Sequence, residues 1–171
     1  IIYKKMTTED LATFKGEHYE INEAINQPKP LQKPHPPLWV CGGGEKVTLK
    51  LLAKYGDYGN WDVDVEGFIN KSEILKQHCD KENRNYEDIG RTLHTNVIIG
   101  NDQSDLNNKL EKISNDTGIP KDIYLKKPLV GVKNEVFDKI DEFESHGCVY
   151  LISYIADIVW GDTLDILKEK L

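Results

Sequence analysis

The sequence predicts an α/β protein with parallel strands. Three observations carry this expectation. Short apolar, β-rich runs alternate with stretches of helical periodicity. At "PPLWVCGGGEKVTLKLLAKYGD" (36–57) such a run passes through three glycines directly into a helical pattern. No internal repeat of fixed period competes with that reading. Four strand-then-helix units emerge, at 38–56, 58–83, 91–115 and, after an extra helix, 148–171. Four units are half of an eight-unit barrel, which needs about 250 residues. A small open sheet satisfies the same pattern, and composition does not separate the two.

Residues 1–37 read as an irregular lead. Five of the seven prolines fall between Pro28 and Pro37, where they forbid a helix. Within the lead "GEHYEI" (16–21) alternates enough for a short strand or hairpin arm. "LWVC" (38–41) reads as a buried strand and "EKVTLKLLAKYG" (45–56) as a helix with Val47, Leu49, Leu51, Leu52 and Tyr55 in its apolar set. "YGNWDV" (58–63) is a weaker strand. "VEGFINKSEILKQHCDKEN" (65–83) carries Phe68, Ile69, Leu75 and Cys79 at helical spacing.

Further along, "RTLHTNVIIG" (91–100) is β-rich, and "SDLNNKLEKISN" (104–115) is a polar helix with Ser104 as its expected N-cap. "LVGVKNEVFDKIDEFESHG" (129–147) reads as one helix with Val132, Val136, Phe137, Ile140 and Phe143 on a stripe. Gly147 is its stop signal. "CVYLISYI" (148–155) reads as a long buried strand and "DTLDILKEKL" (162–171) as a closing amphipathic helix.

Composition narrows the function classes. With 39% hydrophobic and 30% charged residues among 171, the chain has the balance of a soluble globular domain. No apolar run approaches the roughly 20 residues of a spanning helix, and "IIYKKMTTED" has no apolar signal core. The expectation is a cytoplasmic protein without a membrane partner. A net charge of -7 disfavours nucleic acid, whose binders carry a cationic surplus. Cys41, Cys79 and Cys148 are an odd set without CxxC spacing, and Cys41 and Cys148 sit in apolar runs that suggest small core residues. The opening at Ile1 reads like a segment cut from something longer.

The glycine junction carries the chemistry. A strand, a flexible turn and a helix start bring backbone N–H groups and a positive helix end to one spot, which suits a phosphate. The Thr48 hydroxyl adds a donor one turn on. A P-loop would need Gly-Lys followed by Ser or Thr, and a dinucleotide fingerprint starting at Gly42 would need glycine at 47, where Val47 stands. On residue types alone, a phosphate site and a simple tight turn stay equally open.

"FKGEHYEI", followed by "PKPLQKPHPPLWVCGGGEKVTLKLLAKYGDYGNWDV", resembles the C-terminal half of the luciferase-like monooxygenase family, nearest its coenzyme F420-dependent oxidoreductase branch. "LVGVKNEVFDKIDEFESHGCVYLISYI" is similar to the family segment before the last barrel strand. The resemblance spans about residues 11–171. It implies that 38–171 form the C-terminal half of a (β/α)8 barrel supplying strands five to eight. It implies an oxidoreductase that moves a hydride between F420, or alternatively FMN, and a small organic substrate, in a parent protein that is a homo-oligomer. The loop after strand five would grip the cofactor phosphate through Gly42, Gly43, Gly44 and Glu45, with Thr48 donating its hydroxyl. Catalytic side chains would lie in a first half that this chain does not contain. Cys41 stands where members have another glycine, Gly59 where a bulky residue is common, and Gly131 lacks the usual threonine and proline after it.

Barrel enzymes build their sites at the C-terminal ends of strands, so Asn60 and Trp61 join the cofactor-binding set. For Asp62 and Asp64 the preferred reading is a helix N-cap region. His94 and Asn96 share one strand face, the histidine read first as a core residue and second as pointing into a barrel. His18 and His35 fall in the lead. His78 and Cys79 are adjacent on a helix and make no metal pair; no spacing of metal ligands or nucleophile elbow appears. A non-catalytic half-barrel, binding a phosphate ligand or serving assembly, is the alternative function. It would leave an apolar sheet face uncovered.

Overall fold

A computed structural model describes residues 1–170. The chain divides into two units, Ile1–Leu38 and Trp39–Leu171.

The first unit is more regular than its prolines suggest. It holds helix α1 (Ile2–Thr8) and an antiparallel hairpin of β1 (Ala12–Lys15) and β2 (Glu20–Ala24). The hairpin closes with the Gly16 N–H donating to the Tyr19 carbonyl at 2.9 Å, so "GEHY" is the turn and the second strand starts at Glu20. The proline stretch that follows lacks regular structure. Polar side chains tether it instead: Asn26 and Lys29 donate to the Met6 carbonyl at 3.1 and 3.0 Å, and Tyr3 donates to Pro36 O at 3.1 Å.

The second unit is a parallel sheet with helices. Its strands are β3 (Trp39–Cys41), β4 (Tyr58–Trp61), β5 (Gly90–Gly100), β6 (Leu129–Val132) and β7 (Cys148–Ile155). The path runs β3-β4-β5-β6, and β7 also pairs with β5, every pairing parallel. The helices are α2 (Thr48–Tyr55), α3 (Val65–Glu82), α4 (Gln103–Thr117), α5 (Lys121–Tyr124), α6 (Lys133–Ser145) and α7 (Thr163–Lys168). Among the described residues no helix is long and apolar enough to cross a membrane.

One face of the sheet is the core. Leu49, Leu52, Phe68, Leu75, Leu93, Val97, Leu129 and Phe143 are buried together. Phe68 sits edge-on to Trp61 at 5.3 Å and to Phe143 at 5.6 Å, an arrangement aromatic rings favour. A smaller cluster of Ile98, Leu106, Leu110, Ile113 and Tyr124 holds α4 to the far end of β5.

The other face is open and aromatic. By strand alternation it carries Trp39, Tyr58, Asn60, Thr92, His94, Tyr150 and Tyr154. Ring contacts connect them: Trp39 stacks on Tyr58 at 4.5 Å and meets Tyr150 edge-on at 6.0 Å, and His94 lies 5.2 Å from Tyr154. Tyr150 and Tyr154 remain 60% and 63% exposed, whereas parallel sheets are normally covered on both faces.

Several expectations are corrected here. β3 and β7 are not buried strands, because each presents this open face. The run 129–147 is not one helix: Leu129–Val132 pair in parallel with Val97–Gly100, so a fifth strand precedes α6. "LVGV" has the period-2 burial of a strand, and the stripe beginning at Val132 hid it. α2 starts at Thr48, not Glu45, and leaves Val47 and Leu51 exposed. α4 is capped by Asp102, whose carboxylate accepts from the Asp105 N–H at 2.9 Å, and not by Ser104. Gly147 does end α6, at a φ of +84°.

Candidate functional site

Three glycines follow β3, and each meets a different demand. Gly42 takes a φ of +104°, a conformation that penalises any Cβ, while its N–H extends the sheet ladder to Asn60 O at 3.1 Å. At Gly43 a Cβ would lie 2.5 Å from Cε and 2.9 Å from Nζ of Lys71. At Gly44 it would lie 2.8 Å from the Thr48 hydroxyl. The run is therefore a turn into which one lysine and one threonine are fitted.

Glu45–Val47 form a further turn before α2 begins, and the Leu49 N–H reaches back to Gly44 O at 3.0 Å. Val47, at the cap position, offers no side-chain acceptor. The positive end of α2 is thus left without an internal oxygen from its cap residue.

α3 braces this loop from behind. Lys71 donates to Gly43 O at 2.9 Å and pairs with the Glu45 carboxylate at 3.7 Å. The Asn70 amide donates to Glu45 Oε1 at 3.4 Å, and His78 Nε2 lies 2.8 Å from Glu45 O. The Lys71 side chain is 15% exposed, so its contacts are shielded from water better than those of a surface lysine. Sequence reading missed Lys71, Asn70 and His78. Their signal was available: positions 71 and 78 are two helical turns apart and share a stripe that flanks the buried one of Phe68, Leu75 and Cys79.

Asn60 and Trp61 part company. Asn60 stands on the open face beside Thr92, whose hydroxyl lies 2.9 Å from Asn60 Oδ1 and 2.8 Å from Gly59 O. Trp61 points the other way, 2% exposed in the helix layer against Phe68, and its Nε1 has no hydrogen-bond partner among the described residues. Consecutive strand residues cannot share a face, and the structure places Asn60 alone on the side that Trp39, Tyr58 and His94 occupy.

The remaining candidates divide cleanly. Asp64 is the N-cap of α3, accepting from the Gly67 N–H at 2.8 Å, and Asp62 pairs with Lys127 at 2.6 Å; both are structural. His94 is half-buried on the open face against Tyr154, not sealed in the core. Asn96 follows it by alternation, opposite Tyr154 in the register. Cys41 is exposed, 3.9 Å from the Asn60 amide, which corrects its reading as a core residue, while Cys79 is fully buried and Cys148 partly so. Burial pushes the thiols of Cys79 and Cys148 up. His18 is exposed beside Glu17, and His35 Nδ1 lies 2.9 Å from Pro36 O. Gly131 sits in β6 against Glu135 of α6, distant in sequence from the loop and part of the extra strand.

Comparison with known proteins places the chain in a family and a fold. A family model described as luciferase-like monooxygenase matches residues 1–127. The FMNH(2)-dependent dimethylsulfone monooxygenase of Pseudomonas putida is 33% identical over 55 residues, 32% of this chain and 15% of that protein. An F420-dependent secondary alcohol dehydrogenase in complex with an F420-acetone adduct superposes with a TM-score of 0.72 at 16% identity, over 98% of this chain and 57% of that one. The coenzyme F420-dependent tetrahydromethanopterin reductase from Methanopyrus kandleri gives 0.74 at 13% identity, over 96% and 58%. At these identities the likeness shows the fold: an α/β chain with a parallel sheet, matching a little over half of each TIM-barrel-like neighbour.

Proposed function

This chain belongs to the luciferase-like monooxygenase family, and on that premise we propose that it supplies the phosphate grip for coenzyme F420, with FMN the alternative. The observation that carries the proposal is the loop Gly42–Glu45. It stands between a strand end and a helix start, its glycines leave the backbone bare, and Thr48 places a hydroxyl at its rim. The names of its relatives support a flavin-type cofactor: one is FMNH(2)-dependent and two are F420-dependent.

In this reading the backbone N–H groups of Gly43, Gly44 and Glu45 receive the phosphate, Gly42 sets the turn and the Thr48 hydroxyl adds a side-chain donor. Asn60 stands one strand on, fixed by Thr92, and borders the cofactor from the open face. Trp61 serves behind the sheet, where its ring holds Phe68 of α3 and so the helix that braces the loop. The bound cofactor supplies the hydride chemistry, and the protein supplies binding and orientation. The whole enzyme passes a hydride to or from a small organic substrate, and copies of it associate. The exposed aromatic face, with Trp39, Tyr150 and Tyr154, supports association; it equally favours the second reading, a half-barrel that serves assembly without catalysis of its own.

Fluorescence titration of the full-length protein with F420 and with FMN tests the proposal. Saturable binding of either is the expected result. Binding of neither would overturn it and leave the glycines as a turn.

A further inference from the structure

We propose that Lys71 and His78 are positioning residues that aim the glycine-loop amides at the cofactor phosphate; this rests on the phosphate-grip reading above. In a trans peptide the C=O and the following N–H point in opposite directions. Lys71 Nζ holds the Gly43 carbonyl at 2.9 Å, so the Gly44 N–H in the same peptide unit is turned away from α3. His78 Nε2 holds the Glu45 carbonyl at 2.8 Å and turns the Lys46 N–H away in the same manner, adding a fourth amide to the three of the proposed grip. Neither N–H donates to a backbone or side-chain acceptor among the described residues. Two carbonyls are thus pulled toward one helix face and two amides are presented on the opposite side.

Glu45 makes the arrangement selective. A carboxylate within an anion-binding loop repels its ligand. Lys71 at 3.7 Å and Asn70 at 3.4 Å draw that carboxylate onto α3, on the side from which the amides are turned. Lys71 therefore performs two tasks: it orients the Gly43–Gly44 peptide and offsets the charge of Glu45. The missing Cβ of Gly43 is what allows its stem to pass, since Cε would lie 2.5 Å from that atom. Neither task requires Lys71 to touch the cofactor.

The test compares each cofactor with its phosphate-free counterpart, FMN with riboflavin and F420 with the deazaflavin chromophore lacking the phosphate, in the full-length protein. The wild type is expected to prefer the phosphorylated form. Lys71→Met keeps the stem and removes the charge and the donor. It is expected to lose roughly ten- to a hundred-fold in affinity for the phosphorylated ligand, the worth of a charge-assisted hydrogen bond, with the phosphate-free ligand unaffected. His78→Leu, at a half-buried position outside the hydrophobic core, is the second variant should Lys71→Met not fold; it is expected to lose several-fold in the same sense, and Lys71→Arg to restore most of the preference. A wild type that prefers the phosphorylated ligand, with Lys71→Met and His78→Leu retaining the full preference, would overturn this inference alone. A wild type that binds both forms equally, or neither, would overturn the phosphate grip and this inference with it.

Discussion

Leu52 occupies the space that a side chain at residue 59 would need: a Cβ on Gly59 would lie 2.5 Å from Leu52 Cδ2 and 3.3 Å from the Trp61 ring. Gly59 is therefore matched by a leucine from α2 packed against β4. Gly59→Ala is expected to destabilise the fold by about 1–3 kcal/mol through overpacking. Urea unfolding checks it. Combined with Leu52→Val the cost should fall below the sum of the two single changes, because the residues share one space.

Thr48 tests the rim of the loop. Thr48→Ala is expected to weaken cofactor binding about five- to ten-fold by removing one hydroxyl donor, with Thr48→Ser close to wild type. Gly44→Ala should weaken binding more, because its new Cβ meets the Thr48 hydroxyl at 2.8 Å and displaces both the donor and the backbone. Fluorescence titration of the three variants against wild type gives the order.

A charge cluster fixes the far end of β5. Lys109, 6% exposed along its side chain, donates to Ile99 O at 2.6 Å and pairs with Asp105 at 3.3 Å and with Asp162. Asn101 joins both carboxylates, at 3.2 and 3.1 Å. Lys109→Met strands the Ile99 carbonyl and is expected to cost about 2 kcal/mol, less than a fully buried pair because Asp162 is half exposed.

The same cluster has a pH signature. At Asp105, burial opposes ionisation but bonds from the Asn101 N–H and Lys109 outweigh it, so its pKa is lowered. Asp162 is lowered first of all by the Lys109 hydrogen bond. Burial opposes the charge of Lys109 too, yet its two carboxylates raise its pKa. Lowered carboxylates stabilise the fold above their ordinary range, and that contribution is lost as pH falls through their folded values; a raised lysine stabilises below its ordinary value and loses this as pH rises through the folded one. Stability from the cluster is thus flat near neutrality and falls in acid. In Lys109→Met the acid loss should be shallower, as pH-dependent urea midpoints would reveal.

The open aromatic face predicts association. Tyr154→Glu places a charge on a face where Tyr150 and Trp39 are also exposed, and the Tyr154 side chain is not part of the core. Light scattering is expected to show wild-type chains associating in a concentration-dependent manner, with Tyr154→Glu shifting them toward monomers. Equal masses for the two would remove that face from the interface.

How much of this was legible in the sequence follows from what each signal measures. Alternating apolar runs and helical stripes exposed the α/β class, and Phe68, Leu75 and Cys79 did fall on one buried stripe. "LVGV" was not legible, because four residues at the head of a helical stripe are absorbed by the longer period; only pairing with Val97–Gly100 makes them a strand. The glycine loop was visible as a turn, yet the reason for each glycine was not. Gly43 is explained by a lysine 28 residues away and Gly44 by the rotamer of Thr48. Asn60 and Trp61, neighbours in sequence, were grouped by position at a strand end, whereas strand alternation sends them to opposite faces. Burial of β3 and β7 was overread because apolar residues also line an open sheet face.

The most direct measurement of the central claim is an amide 1H–15N spectrum of the full-length protein, titrated with F420 and FMN and with their phosphate-free counterparts. The account predicts large shifts at Gly43, Gly44 and Glu45 with the phosphorylated ligands and small ones without the phosphate. Saturation of either cofactor with those three amides unmoved would contradict it.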